Sequence, residues 1–572
     1  MKNQTVVGLS IALLATPWSL GAAVDVVGRK HLFIEQRSAI DRNPKELIVL
    51  KEQRQLFVDD YGIEETVGLN RTMHQPKKKG AVIRMDRQKG DGAVFTENSP
   101  IWDPVEKIYK LLICYYDFDR WYKSTDGLHW FKSQDEGTDR HDSLREAHKH
   151  RFQLDEFDKI EAEQLAKGSN MSVVYDPTDS SEEYRYKGLL KFLSGYQPVG
   201  SPDGVVWRKI DSKLIRTNDT GMLTYDSQEK QYLVTARRAN MVPDPEHWAG
   251  WGPQAEEDNV PKEGYPGELS GRMVYLFTST DFINWSSPGK LIFYADAKDK
   301  ELGRASIEAR FKSGTYRKPL LNTPEKYNTD VYDMRVFRYE GVYIGLPAMF
   351  HRTGQVAGDW KGFDQYDMEP EQLQFHKKHG AWDGFTNVQL ASSRDLTHWE
   401  RLGERKPFID CSPLGGGDYD LSCVDWVSEP IVHPDELWFY YTGSKFYGAK
   451  FAFEHSESHI VKDNQAICLA VLRRDGFISL DADQTAGSVL TKTFVVPTGE
   501  LRLNTDAYKG KVEVQLCDEQ GTAISGFKSS IDGDRLDAVP KWTEGDLNRY
   551  IGKKVRLRFT LTNARLYSYW FK

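Results

Sequence analysis

Between residues 91 and 484 the chain alternates short apolar-rich runs with turn residues, and the runs group into units. The first unit holds SPIWDP and KIYKLLICYY, the second MSVVYDP and YRYKGLLKF, the third GMLTYDS and QYLVTARR. The fourth holds YDMRVFRYEG and VYIGLPAMF, and the fifth SEPIVHPDE, LWFYYTG and ICLAVLRRDGFISLDA. Such runs, rich in β-branched and aromatic residues and bounded by Gly, Pro, Asn and Asp, predict strands. A further run in each of the first four units ends in Ser-x-Asp-x-x-x-Trp, at Ser124–Trp130, Ser201–Trp207, Ser279–Trp285 and Ser393–Trp399. Asp bonds its own backbone and Gly tolerates positive φ, so the pattern predicts a tight turn. Its Trp packs back on the neighbouring strand, which makes the motif a structural staple and its Asp a poor catalytic candidate. In the fifth unit Arg474-Asp475-Gly476-Phe477 takes its place. Five units of about four strands each, with little helix between them, predict an all-β fold: a five-bladed β-propeller over 91–484.

From 485 to 572 the period changes. TKTFVVP, ELRLNTD, KVEVQLCD and KVRLRFTLTN alternate apolar and polar residues between Gly-containing turns, which predicts a C-terminal β-sandwich. Residues 24–90 are expected to complete or brace the propeller. Residues 1–23 read as a secretory signal: Lys2, then the apolar run Val6 to Ala15, then Gly21-Ala22-Ala23. The expected location is therefore secreted or periplasmic, with no membrane attachment after signal removal.

Charged residues make up 28% of the chain and hydrophobic ones 39%, a globular composition. The formal net charge of −8 and the lack of a basic run argue against a nucleic-acid partner. Three of the five cysteines, Cys114, Cys468 and Cys517, lie in apolar strand-like runs and read as buried thiols, while Cys411 and Cys423 flank a Gly-rich loop and could pair. No Cys/His spacing suggests a zinc site, and no metal site is assigned.

Propeller geometry turns the strand order into an expectation about function. The starts of the inner strands, the loops joining second to third strands and the links between blades all emerge on one face. Long inserts fall there: one after blade one, around SLREAHKHRFQLDEFDKIEAEQLA, and one each in blades three, four and five. Long loops on a rigid scaffold carry function, and aromatic residues beside polar ones suit sugars. The five inner strand starts contain Glu97, Asn170, Asp219, Asp333 and the stretch Asp425 to Glu429. Carboxylates gathered on one axis repel, so some are held protonated, the requirement for splitting a glycosidic bond with an acid and a base or nucleophile. Glu97, Asp333 and Glu429 lead as catalytic candidates, with Asp219 next. Arg237 and Arg238 in TARRAN are expected to bind a substrate carboxylate or sulfate, or to pair with a funnel acid. His351, Asn170 and Trp426 complete the substrate-binding candidates on this face.

Five blades, acids at inner strand starts, Ser-x-Asp-Leu/Gly-x-x-Trp turns and a trailing sandwich resemble the five-bladed β-propeller glycoside hydrolases. SRDLTHWERLG and LRRDGFISLDA are most similar to family 32/43-like proteins. The Asn-Asp-Pro, Arg-Asp-Pro and Glu-Cys triplets of family 32 are absent, so fructan specificity is not carried over. Asp59, beside Asp60 in LFVDDYGI, is a candidate substitute for the first acid. The resemblance implies a secreted hydrolase acting on a poly- or oligosaccharide. The alternatives are a carbohydrate-binding propeller without turnover, or a lyase or phosphorylase on the same scaffold. No redox cofactor is implied; a structural calcium in the funnel is compatible with the acids.

Overall fold

The computed structural model describes residues 44–85, 94–114, 119–133, 157, 171–192, 195–215, 220–240, 271–287, 289–366, 368, 370–448 and 463–572. The signal segment, the insert after blade one, most of the blade-three and blade-five inserts, Asn170, Asp219 and the Arg238 side chain lie outside these residues.

Among the described residues, five antiparallel sheets of four or five strands each succeed one another along the chain. Blade one is Ile101–Asp103, Ile108–Cys114, Asp119–Ser124 and Phe131–Lys132; blade two is Met171–Tyr175, Tyr186–Phe192, Gly195–Ser201 and Arg208–Lys209. Blade three is Gly221–Asp226, Gln231–Asn240, Gly271–Ser279 and Lys290–Phe293. Blade four starts with Asn328–Tyr339 and Val342–Val356 and ends with Ala391–Ser393 and Glu400–Arg401. Blade five contains Cys423–Asp425, Glu436–Ser444 and Gln465–Arg473, and its outermost strand is Lys77–Arg84, from before blade one. This N-terminal strand closes the ring, because a segment from before blade one is hydrogen-bonded into the sheet of the last blade.

Apolar clusters fill every blade junction. Leu112 and Trp121 of blade one meet Met171 and Leu190 of blade two; Val174 and Leu189 meet Leu223 and Val234 of blade three. Leu233 and Leu276 meet Val331 and Val336, and Ile344 and Leu346 meet Phe439 and Ala470. Leu111 and Ile113 then meet Ile467 and Leu469, which brings the ring back to blade one. Alternate residues of each strand enter opposite clusters, the period-two pattern of a sheet buried on both faces.

Two polar motifs fix the lower rim. In the first three staples the Ser hydroxyl accepts two turn amides, and in the fourth Ser393 accepts that of Asp395; in each the Asp carboxylate accepts two more, as Asp126 Oδ1 does from Leu128 N and His129 N at 2.8 Å each. The residue after Asp is left-handed: Gly127 and Gly204, but also Phe282 and Leu396 at φ 64°. Three Trp indoles then donate to that residue's carbonyl, Trp130, Trp285 and Trp399 at 2.9, 3.2 and 3.3 Å. The second motif links blades. Asp103 and Asp226 end inner strands and Asp176 directly follows one, in three successive blades; each caps its own turn with Oδ1. Their Oδ2 atoms accept the hydroxyls of Tyr186, Tyr232 and Tyr343, one blade further on.

The sandwich is an eleven-stranded hydrogen-bonded network around its own core. Strand Leu501–Cys517 pairs first with Ala564–Phe571 and then with Lys554–Thr562, a corner at which one strand serves both layers. Ile478–Ala482 continues from blade five into this network. Asp475, in the turn that replaces the fifth staple, is buried and accepts from Arg54, Ser568 and Tyr339 at 2.7, 2.6 and 2.6 Å, tying the sandwich to blades four and five.

Two expectations change. A helix, Ala297–Lys312, links blades three and four, opened by a reciprocal capping box between Asp296 and Asp299. Its buried stripe is Asp299, Gly303, Ile307 and Arg310, helical in spacing but not apolar, so hydrophobic pattern does not reveal it. Cys411 and Cys423 are both buried free thiols, as are the other three cysteines, so the Gly-rich loop carries no disulfide. Among the described residues no helix is long and apolar enough to cross a membrane.

Candidate active site

Three carboxyl groups from three blades come together at the upper end of the ring. Glu97 precedes the first strand of blade one, Asp333 lies on the inner strand of blade four, and Asp425 ends the first strand of blade five. All are buried, at 6%, 4% and 2% exposure. Asp425 accepts a 2.6 Å hydrogen bond from the Thr386 hydroxyl, and Asp333 a long one, 3.4 Å, from the Trp426 amide. Burial pushes the Asp333 carboxyl well above the usual carboxylate range, and the neighbouring Asp425 and Glu97 charges add to the rise. Burial pushes Asp425 up to about 7, with the Thr386 bond and Arg237 opposing. Burial also raises Glu97, but Lys191, Arg237, the Gly221 amide and the Thr220 hydroxyl stabilise its charged form. One arginine therefore acts on all three acids: Arg237, whose guanidinium lies 4.3 Å from the Tyr332 ring centroid and donates to the Tyr332 carbonyl at 3.4 Å. Burial with like charges nearby separates the protonation states of carboxyls that would otherwise match.

Trp426 shapes the floor between them. Its indole donates to Thr220 Oγ1 at 3.2 Å, and its ring lies 5.2 Å from Phe95 and 6.1 Å from Tyr332. Its φ of 49° is left-handed, which for a bulky residue costs on the order of 1–3 kcal/mol and concentrates at functional sites. This turn of the chain separates Asp425 from Glu429. Glu429 is half-buried and burial pushes it up to about 7, offset by Arg335 and reinforced by Asp226. Arg335 and Asp226, rather than Glu97, Asp333 or Asp425, are the charges that act on it, and its amide donates to Ser99 Oγ at 2.8 Å.

Arg335, two residues from Asp333 on the same strand face, occupies the axis. It donates to the carbonyls of Glu97 at 2.6 Å, Leu223 at 2.8 Å and Val427 at 3.3 Å, so a blade-four side chain holds blades one, three and five. Asn98 supports the rim in the same way, donating to the Leu112 and Met171 carbonyls and accepting Val173 N.

Of the residues singled out from the sequence, Glu97, Asp333, Arg237 and Trp426 are brought together. Glu429 is near but apart. His351 is held elsewhere: its ring nitrogens bond Thr329 Oγ1 at 3.1 Å and Asn387 Oδ1 at 3.2 Å, and Gly303 of the linking helix packs on it. Burial pulls its pKa down to about 4, leaving a neutral strut rather than a substrate ligand. Asp59 lies on the opposite face, beneath blade four, in a two-point ion pair with Arg394 at 2.8 and 3.0 Å. It does not replace an acid of the funnel. Asp425, Arg335, Lys191 and Thr386 were not singled out. Among the described residues no group of His, Cys, Asp and Glu is arranged to hold a metal ion.

The raised Asp425 has a consequence for stability. Folding favours its protonated form, so its contribution is full below the unfolded value near 3.8 and is lost as pH rises through about 7. Asp425→Asn removes this dependence. Between pH ~5 and ~8 the parent should lose about 2–3 kcal/mol relative to the variant, measured by denaturant unfolding at both pH values. An equal change in both proteins would contradict the burial of this acid.

No protein-family model matches the chain, and no curated protein matches it. Solved structures similar to it include an endo-arabinase from Bacteroides thetaiotaomicron VPI-5482, 13% identical, covering 70% of this chain and 96% of that one at a TM-score of 0.31. The catalytic domain of a GH62 alpha-L-arabinofuranosidase from Coprinopsis cinerea is 8% identical, covering 70% and 97% at 0.36. A GH32 beta-fructofuranosidase from Bombyx mori is 9% identical, covering 85% and 95% at 0.29. All three are named as glycosidases, the class the sequence resembles. At these scores the likeness carries no weight of its own, and the propeller rests on the strand pairing and the closed ring of clusters.

Proposed function

We propose that the chain is an exported glycoside hydrolase whose bond-breaking groups are Glu97 and Asp333, with Asp425 as the third carboxyl that keeps Asp333 protonated. The observation that carries this reading is the convergence of three buried acids from three blades on one arginine. Asp333, held neutral by burial and by Asp425, gives its proton to the glycosidic oxygen as the bond to the anomeric carbon breaks. Glu97, whose charge is supported by Lys191 and Arg237, attacks the anomeric carbon or takes a proton from the water that does. Arg237 screens the two charges as the proton moves. The aromatic faces of Trp426 and Tyr332 beside these acids suit the apolar faces of a sugar ring.

The test is product analysis of the full chain on a panel of arabino-, xylo-, fructo-, manno- and uronate-bearing oligo- and polysaccharides. The expected result is release of new saturated reducing ends from at least one, without added phosphate. Binding without product would make it a binding protein, an unsaturated end a lyase, and a phosphate requirement a phosphorylase.

A further inference from the structure

A second group of charges adjoins the acids without belonging to them. Arg272, at the start of the third strand of blade three, and Arg352, late in the second strand of blade four, both reach Asp330 Oδ2, at 3.4 and 3.5 Å. Among the described residues two guanidinium groups thus share one carboxylate oxygen, a group with one more positive charge than negative. The contacts are long for charge-assisted bonds, and the unused atoms show the mismatch: Asp330 Oδ1 and Arg352 Nε are buried without a hydrogen-bond partner among the described residues. Burial lowers the Arg352 pKa, Asp330 opposes the change, and the like charge of Arg272 adds to it. A buried cation without full compensation is costly and is kept where a ligand supplies the missing charge.

The surroundings say what kind of ligand. The Arg272 guanidinium lies 5.2–5.7 Å from the ring centroids of Phe350, Trp382 and Tyr332. Tyr447 joins the wall, 5.3 Å from Trp382 and 6.1 Å from Tyr332. Tyr332 is adjacent to Asp333 in the chain and packs on Trp426, so the wall runs from the reacting acids to the arginine pair. Trp382, Tyr332 and Tyr447 are partly exposed and offer flat faces on which a sugar ring stacks; a small free anion would use none of them.

Resting on the reading of this face as a carbohydrate site, we propose that the substrate carries an oxyanion, a uronate carboxylate or a sulfate ester, and that Arg272 and Arg352 bind it on the Trp382–Tyr447 wall. Asp330 orients the two arginines and leaves their remaining donors for the ligand. The expected substrate is therefore an acidic polysaccharide rather than a neutral arabinan, xylan or fructan.

The experiment is calorimetric binding to the full chain and to its Asp333→Asn variant, with three probe classes of equal length: galacturonate oligosaccharides, sulfated galacto-oligosaccharides and neutral xylo-oligosaccharides. At least one anionic class should bind about tenfold or more tighter than the neutral one, with affinity falling as salt rises. Arg272→Gln and Arg352→Gln should each remove that preference. Equal binding of neutral probes, an anionic preference unchanged in both arginine variants, or displacement of the anionic probe by millimolar inorganic phosphate together with phosphate-dependent turnover would overturn the proposal. Anionic binding without any cleavage would keep the oxyanion site and refute the hydrolase. Cleavage of neutral glycans alone would do the reverse.

Discussion

Asp333→Asn is expected to lower kcat on the chain's substrate by about 10²–10⁴-fold while leaving the fold intact, because the variant loses the proton donor and little else. The amide matches the carboxyl in shape. Among the described residues Asp333 accepts one long bond, from the Trp426 amide, so few contacts are lost. Replacing an acid that burial and Asp425 already hold neutral by a neutral amide leaves the local charge unchanged. Circular dichroism should therefore match the parent, and at neutral pH the variant should unfold at the same temperature or higher, because protonating position 333 no longer opposes folding. Turnover unchanged within about threefold would remove Asp333 from the mechanism.

Arg335→Met should cost about 3–5 kcal/mol of stability, the scale seen when one member of a buried charged network is removed. The loss has two parts. Three buried carbonyls, those of Glu97, Leu223 and Val427, lose a donor from a blade other than their own. Burial already opposes the charge of Arg335, and Glu429, Asp333 and Glu97 sustain it, so removal leaves the axis with acids and no central cation. Arg335→Lys should restore little, because one ammonium cannot span carbonyls on three blades. Urea unfolding measures both. A variant as stable as the parent would show that the ring is held by its apolar junctions alone.

Much of the fold was legible because local turn chemistry repeats. Ser-x-Asp-x-x-x-Trp sets one corner of each of four blades with bonds made inside seven residues, so its spacing exposes the period directly. The Asp–Tyr links between blades were not seen, since each spans 56 to 117 residues and its Asp reads as an ordinary turn residue. The candidate site was half legible. Polar residues at inner strand starts pointed to Glu97 and Asp333. Between Asp425 and Glu429 the sequence reading favours Glu429, and the structure puts Asp425 beside the other acids: the left-handed Trp426 decides which faces them, and nothing in DWVSE requires that conformation. Arg335 sits inside an apolar run, MRVF, and becomes an axial hub only when the ring closes. Asp59 looked available because its partner, Arg394, is 335 residues away. His351 ends at the upper rim, but the helix over it is built on a polar stripe that hydrophobic patterning cannot register.

The most direct measurement is a crystal structure of the Asp333→Asn chain with the oligosaccharide it binds best. The scissile oxygen should lie within hydrogen-bonding reach of position 333, with Glu97 facing the anomeric carbon and Asp425 behind. A sugar bound elsewhere, for instance in the cleft of Tyr61, Arg394 and Trp399 beneath blade four, with the three acids untouched, would contradict the assignment.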